Sequence, residues 1–499
     1  MPQDTPNITN KALGDTLTSD EFNTLKNCIV NNAVDAESRL NSYLDPSWGS
    51  QYKGADYDRD PPSFVSRADD DTYRIYDEFG VELYSAQITD QSEATVNVYI
   101  PIVNAILDAQ PENAKLWILT HIASHLELAK RTSRPNHHII IGSVNGYGKI
   151  GFVDSASFLN IKGTAEYPIV FTALVPRRCR ITYPSHARLC RIWECEHVCF
   201  HGIDFTDNGL DVVGTEEVDA TTGPRIVWGL VMGQAFSGEQ AAVDWQGNTL
   251  SGVSHNLTFD NCKVGKCGQS LFVIASSSYN IAVRYCTIHG SGYRWGRKHN
   301  AEGIYIGSGG DATQTSTAHV CHDIYIKGCE FYDIGRGPSG GEAIDMKNQC
   351  YNITVEDCGF NGVNVDTQGC ITVNHGYIAP QWSSNNGTVN VLIHRNVFSK
   401  ITRRTLWDSI PPEHPYYASR YEDPNNPPSI QGHAVHIGKN GVYVIDNTFN
   451  EVADHNISTE LTDGNISGTT GIVLIKGNKP NAYEQVGALT GPSLNVVQE

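Results

Sequence analysis

The chain has 499 residues, a formal net charge of −19 and a hydrophobic fraction of 40%. So acidic a chain is not built for generic nucleic-acid or anionic-membrane binding, and an anionic ligand must be drawn by a local basic patch or a bound cation. With 46 glycines, 3 methionines and no apolar stretch of the roughly 18 residues that a membrane helix needs, the composition suits a strand-and-turn protein.

Residues 1–95 show no strand repeat. The start, MPQDTPNITN, lacks the basic and apolar pattern of a signal peptide. The chain is therefore either not exported by that route or a processed form carrying a new Met. Thr18 and Glu21 fit a capping box that opens an amphipathic helix with Phe22, Leu25 and Ile29 on one face. Residues 45–75, rich in Pro, Asp and Tyr, read as a solvated extended loop. Asp56, Asp58 and Asp60 resemble the opening of a calcium loop, but Pro61 stands where that loop needs Gly and Arg67 where it needs Glu, so no such site is expected. Pro101–Gln110 reads as a short amphipathic helix suited to cap the open end of a strand stack. Strand-like segments come next: HHIIIG, KIGFV, FLNIKG and PIVFTA (168–173).

From about residue 187 one phrase recurs: EHVCFHGIDF (196–205), HNLTFDNCKV (255–264), YNIAVRYCTI (279–288), HDIYIKGCEF (322–331), YNITVEDCGF (351–360), VNVLIHRNVF (389–398) and NGVYVIDNTF (440–449). One of its columns reads Cys262, Cys286, Cys329, Cys358, Asn396, Asn447. Stacking of like residues, coil on coil at roughly 4.8 Å, is what such a column favours. The 13 cysteines lack zinc-site spacing, and those within the phrases read as small core hydrophobes. The sequons at Asn256 and Asn352 are repeat positions; those at Asn386 and Asn456 permit glycosylation. A second phrase alternates with the first: QSLFVIA (269–275), EGIYIGS (302–308), EAIDMKN (342–348), CITVNHG (370–376) and HAVHIGK (433–439). Two strand phrases per unit without intervening helices point to stacked coils and not to βαβ units. A β-sandwich would need hairpin turns, and the linkers here are mostly too long for them.

This pattern resembles the right-handed parallel β-helix of pectin-lyase-like proteins over roughly residues 96–480. The expected architecture is all-β: a single-stranded right-handed parallel β-helix, preceded by a helical and irregular extension over 1–95 and followed by a tail over 481–499.

Aligning the second phrases gives an outward column of Phe272, Tyr305, Asp345, Thr372 and His436. Ile344 and Met346 face a core, so Asp345 and Lys347 face out onto an exposed surface, about 7 Å apart along the strand. Asn374 and His375 come one alternation further on. Glu302 and Glu342 head successive phrases, which stacking brings within about 5–10 Å of one another. The flanks add a basic and aromatic cluster, Arg294, Trp295, Arg297 and Lys298, and a Pro-rich insertion that carries Arg403 and Arg404. Arg and Lys pair with carboxylates or sulfates, and flat aromatics stack on sugar faces. The plain alternative is the polar outer surface that any such solenoid carries.

The stretch GGEAIDMKNQC…GCITVNHG is similar to the catalytic region of the chondroitinase B and alginate lyase family, which has Glu-x-Glu-Ile-Ile-Ser-x-Lys followed about one coil later by Leu-Arg-His-Gly. The resemblance places Glu342 on a calcium-ligand Glu, Lys347 on the Brønsted-base Lys and Asn374-His375-Gly376 on Arg-His-Gly. Gly340 stands where the family has its first Glu, so Glu302 or Asp345 would have to complete a Ca²⁺ site. Asn374 replaces the family's acid Arg, which leaves Tyr305 or His375 as proton donor, with His436 in reserve. The function so implied is β-elimination on an acidic polysaccharide by a secreted or extracellular enzyme. Alternatives on the same fold are a C5 uronate epimerase, a glycoside hydrolase, or a non-catalytic, virion-associated tail-spike-like module. No nucleic-acid or membrane partner is expected.

Overall fold

The computed structural model describes residues 48–65, 72–142, 149–151, 157–182, 188–206, 228–233, 243–267, 270–275, 277–292, 301–307, 320–335, 341–347, 350–365, 369–373, 390–403, 432–438, 441–459, 473–480, 483–485 and 496–498. The helix expected after Thr18 lies outside the described residues. Among those residues, strands assemble into three sheets, here A, B and C, of 14, 9 and 10 strands. Each coil contributes one strand to each sheet in turn. His255–Asp260 lies in A, Lys263–Gly265 in B and Phe272–Ile274 in C; the next strand, Tyr279–Arg284, returns parallel to His255–Asp260. Parallel crossovers of this kind are right-handed, and the fold is the expected right-handed parallel β-helix. The first recurring phrase holds two strands, not one, with a sharp bend at its Cys or Asn column.

That bend has a simple local cause. A left-handed residue breaks the strand, and the next residue turns inward. The left-handed positions are Asn261, Tyr285, Asp357, Arg395 and Asp446, with φ between 53° and 55°, and Gly202, Gly328 and Gly477, with φ between 60° and 65°. Directly after them come Ile203, Cys262, Cys286, Cys329, Cys358, Asn396, Asn447 and Asn478, all buried. The Asn447 Oδ1 accepts from the Asn396 backbone N–H at 2.8 Å and its Nδ2 at 3.0 Å. The Asn447 Nδ2 donates to the Ile393 carbonyl and to Asn478 Oδ1, both at 3.0 Å. A thiol column fills the same space earlier in the chain, with Cys286 Sγ against the Arg284 carbonyl at 3.3 Å. The twelve described cysteines are buried and unbridged, as small core residues.

Stacking also orders the core. Phe331, Phe360, Phe398 and Phe449 lie ring on ring at 4.8, 4.8 and 5.1 Å. A second amide ladder runs along the opposite edge of sheet A, where Asn280 donates to Asn256 at 2.8 Å and Asn390 to Asn352 at 3.1 Å. Asn256 and Asn352 have φ of 55° and 52°, so these two sequons are indeed repeat positions.

The N-terminal part departs from the sequence expectation in three ways. Thr72–Tyr76 and Glu82–Gln87 form an antiparallel hairpin that extends sheet A, where no strand is expected. The expected short helix begins at Glu93, not Pro101, and runs to Asp108. Ser92 caps it by accepting from Thr95 N, and Pro101 sits inside, so taking proline as a helix opener misplaces the start. A further helix, Ala123–Thr132, lies between the first parallel strands. The segment 49–60 is extended, as expected, but not simply solvated. It crosses sheet A: Ser50 N donates to Thr354 Oγ1 at 2.8 Å, Ala55 N to Thr258 Oγ1 at 3.0 Å, and Thr172 Oγ1 to the Arg59 carbonyl at 3.3 Å. Parallel pairing also continues past residue 480, through Tyr483–Gln485 and Val496–Gln498.

Asn447→Ala strips partners from the buried Asn396 N–H and Ile393 carbonyl, so urea unfolding should show a loss of about 2–4 kcal/mol. A change below about 0.5 kcal/mol would mean that the ladder does not hold the bend.

Candidate functional site

Sheet C aligns Val273, Tyr305, Asp345, Thr372, His436 and Ser458 in one column. Phe272 does not belong to it. Phe272 pairs with Ile304 and packs in the core against Phe259 at 4.9 Å. Counting back from that pair sets Ser270, not Gln269, opposite Glu302, and Glu302 opposite Glu342. Backbone bonds fix the stack, with Leu271 N donating to the Glu302 carbonyl at 3.0 Å and Gly303 N to the Glu342 carbonyl at 2.9 Å. The approach leaves no room for a side chain at Gly303, where a Cβ would sit 2.5 Å from the Ala343 carbonyl.

The expected alternation holds: Ile344 and Met346 join the core and Asp345 leaves it. The expected exposure does not. Asp345 and Glu302 are 1% exposed, Tyr305 and Glu342 8%, and His436 is wholly buried, whereas the Lys347 side chain keeps 25% of its surface open. Opposite charge is what makes this burial tolerable. The Lys347 ammonium folds back onto its own strand and pairs with Asp345, so the two groups touch instead of standing about 7 Å apart. The same ammonium lies 5.2 Å from the centre of the Tyr305 ring. Glu302, Glu342 and Asp345 each offer one carboxylate oxygen, and these oxygens lie within 4.8 Å of one another. Ser270 Oγ donates to Glu302 at 2.5 Å.

These contacts shift the groups strongly. Burial, then the Asp345 charge, pushes Glu302 up to about 7; Lys347 and Ser270 act the other way. Burial works to neutralise Lys347, but Asp345, Tyr305, Glu302 and Glu342 together outweigh it and hold the amine charged well above its usual range. Burial also raises the Tyr305 hydroxyl far above the ordinary phenol range, with Asp345 and Glu302 adding to it and Lys347 opposing. Three buried carboxylates beside one ammonium form a hard-oxygen donor set with net negative charge, which suits a cation such as Ca²⁺.

The structure thus brings together Glu302, Glu342, Asp345, Lys347 and Tyr305. His436 lies two coils away, about 10 Å along the axis, with Nδ1 3.0 Å from Ser458 Oγ. Arg403 is 57% exposed and pairs with Asp454 at 3.4 Å, in the coil that leads to the His433–Ile437 strand. Arg294, Trp295, Arg297, Lys298, Asn374, His375 and Arg404 lie outside the described residues. Ser270 was not expected, although it heads its phrase as Glu302 and Glu342 head theirs.

No protein-family model matches the sequence, and no curated protein matches it. Among solved structures, an alginate lyase from Paenibacillus sp. str. FPU-7 is 15% identical, covering 76% of this chain and 98% of that one, with a TM-score of 0.45. A mannuronic acid specific polysaccharide family 6 lyase from human gut microbiota is 13% identical over 76% of this chain and 79% of that one, with a TM-score of 0.40. Tailspike protein 2 from Escherichia coli O157:H7 bacteriophage CAB120 is 9% identical over 75% of this chain and 40% of its own, with a TM-score of 0.39. Similarity at this level carries no argument about activity; the β-helix itself stands on the strand pairing described above.

Glu302 supplies a pH test. Its value in the folded chain lies above that of an ordinary carboxyl, so its stabilising contribution is complete below about pH 4.5 and is lost as pH rises through about 7. Without added metal, Glu302→Gln should be more stable than the parent by up to about 3 kcal/mol near about pH 8.5, and equal to it near about pH 4. Coincident unfolding midpoints at both pH values would show that the carboxylates do not repel.

Proposed function

We propose that the chain is a polysaccharide lyase that cleaves an acidic, uronate-containing polysaccharide by β-elimination. The observation that carries this reading is the meeting of three carboxylates, an amine and a phenol on one face of sheet C. Elimination on a uronate sets three tasks: offset the substrate carboxylate, take the C5 proton, and protonate the departing 4-oxygen.

Glu302, Glu342 and Asp345 would hold Ca²⁺, because their crowded charges exceed what Lys347 alone offsets. Such an ion, when bound, neutralises the substrate carboxylate and favours the charge that develops on it. Lys347 takes the C5 proton as the neutral amine. Once the three carboxylates are offset, burial is the main influence left on it, and burial favours that neutral form. Tyr305 keeps its proton over the whole working range, and the Lys347 ammonium 5.2 Å from its ring, charged once it has taken the C5 proton, favours release of that proton to the leaving oxygen. His436, two coils on and wholly buried against Ser458, has no part in this reading.

An inverting hydrolase fits less well. It needs carboxylates about 6.5–9.5 Å apart with a water between them, and these oxygens lie within 4.8 Å. A C5 epimerase shares the proton abstraction but then returns a proton from the opposite face of the ring and breaks no glycosidic bond.

The reaction leaves an unsaturated uronate, which absorbs in the ultraviolet. Across a panel of acidic polysaccharides the parent protein should generate that absorbance, EDTA should suppress it and Ca²⁺ restore it. Lys347→Ala should lower the rate by a factor on the order of 10²–10⁴, and Tyr305→Phe should lower it severely. New reducing ends without the absorbance, or an unimpaired Lys347→Ala variant, would refute the lyase.

A further inference from the structure

A second charged surface lies on sheet B, away from the carboxylate face. In-register pairing sets Arg180, Asp204, Lys263 and Thr287 in one outward column. Thr206, Gly265, His289 and Tyr332 form the neighbouring one. The intervening Phe205, Val264, Ile288 and Phe331 point into the core. Arg177 extends along the bend between the sheets, where its Nε donates to the Asn261 carbonyl at 3.2 Å and its Nη2 to the Tyr285 carbonyl at 2.6 Å. Backbone oxygens take those donors, so the Arg177 charge meets no carboxylate partner among the described residues. Lys263 likewise makes no ion pair there, while Arg180 shares Asp204 at 2.9 Å. The column continues past Thr287 to Glu330. Arg177 and Lys263, which have no carboxylate partner among the described residues, form with Arg180 a local concentration of positive charge in a chain of charge −19.

His289 lies at the centre of it. The residue is 7% exposed and its ring stacks on Tyr332 at 4.9 Å and 13°. It crosses over Gly265, where a Cβ would fall 2.3 Å from His289 Nε2. That nitrogen is buried and bonded to no group among the described residues. Burial, then Lys263, Lys266 and Arg180, hold the imidazole down to about 4 against the opposing pull of Asp204. An orphaned polar nitrogen ringed by cations is what an anion would satisfy. On the other side of Tyr332, which is 39% exposed, the surface is open: a Cβ at Gly359 or Gly362 would meet nothing within 4 Å. A pyranose ring fits against such an aromatic, and its acid groups belong on the Lys263 side, since Glu330 and Asp333 flank Tyr332.

We propose that this face of sheet B, through Arg177, Arg180, Lys263, Lys266, His289 and Tyr332, binds an acidic polysaccharide as a second site remote from the sheet C carboxylates. The proposal takes only the class of ligand from the functional reading above, and it is tested by binding, not turnover. The probes are fluorescently labelled oligosaccharides of alginate and of chondroitin sulfate, titrated by anisotropy against the full chain carrying Glu342→Gln and Lys347→Ala. This protein should still bind. Adding Lys263→Gln and Lys266→Gln should weaken binding about tenfold and flatten its salt dependence, with an unchanged unfolding midpoint as the control for folding. In NMR the His289 imidazole signal should move with the oligosaccharides and not with inorganic sulfate at equal acid-group concentration. Undiminished affinity in the added variant, or an equal response to sulfate, would overturn the glycan site; the latter would leave only a site for free anions. Failure of every polysaccharide to undergo elimination would refute the lyase and leave this result untouched.

Discussion

Coils stacked in register, about 4.8 Å apart, force every residue to sit beside its counterpart in the coils above and below. For apolar rings and amides this is an advantage, and the Phe and Asn columns use it. For charges it is a hazard, because like charges at that spacing repel. The outer column of sheet A, Asp260, Arg284, Lys327 and Glu356, offsets the hazard by pairing each cation with a carboxylate, even though Arg284 and Lys327 lie side by side. Asp260 pairs with Arg284 at 2.9 Å in the next coil, and Lys327 with Glu356 at 3.1 Å. Sheet C breaks this pattern. Glu302, Glu342 and Asp345 gather on adjacent coils with one ammonium among them, and all three are buried. Three buried carboxylates sharing one ammonium are an arrangement that stability alone does not favour.

The coupling within that cluster runs in both directions. The carboxylates keep Lys347 protonated, and Lys347 restrains the rise of Glu302. Neither group therefore has a fixed character of its own; each depends on how much charge the other carries. Lys347 is also the member with a quarter of its side chain open to solvent, so a ligand that arrives from outside meets the amine before it meets the acids. Tyr305, beneath that amine, belongs to a small apolar group with Val231, Val273 and Ala275, which gives the acid cluster a dry flank. Low polarity on one side strengthens every electrostatic interaction on the other.

The fold was legible because coil stacking writes itself into sequence as columns, and the Cys–Asn column in particular marks the bend from sheet A to sheet B. The bend itself is not legible there, since a single left-handed Tyr285 or Arg395 leaves no signature comparable with glycine. The sheet C cluster is legible in the sequence in its members and not in its geometry. Glu302, Glu342, Asp345, Lys347 and Tyr305 stand out together in the sequence, yet the pattern of the phrase at 269–275 sets Phe272 where Val273 belongs and hides Ser270. Alternation says which way a side chain leaves the strand; it does not say what lies over it, so the surface expected to be exposed proved buried. The N-terminal hairpin and the Ala123–Thr132 helix escaped because they occur once, and a repeat-based argument has nothing to align them with.

If it acts on an acidic polymer as proposed, so acidic a protein must overcome its own field. With a charge of −19, the long-range potential opposes the approach of a polyanion, and only local cations can reverse it at short range, within a Debye length of about 8 Å. The carboxylate cluster on sheet C makes this worse at the place where reaction would occur, unless a cation occupies it. The bases on sheet B ease it elsewhere. A polymer, unlike a small substrate, is long enough to be held at one face while another part of it meets the second. Net repulsion with separate points of attraction favours long chains that satisfy several points at once over short ones that satisfy a single point. On the proposed reading, the charge distribution would select for ligand length as well as for ligand charge.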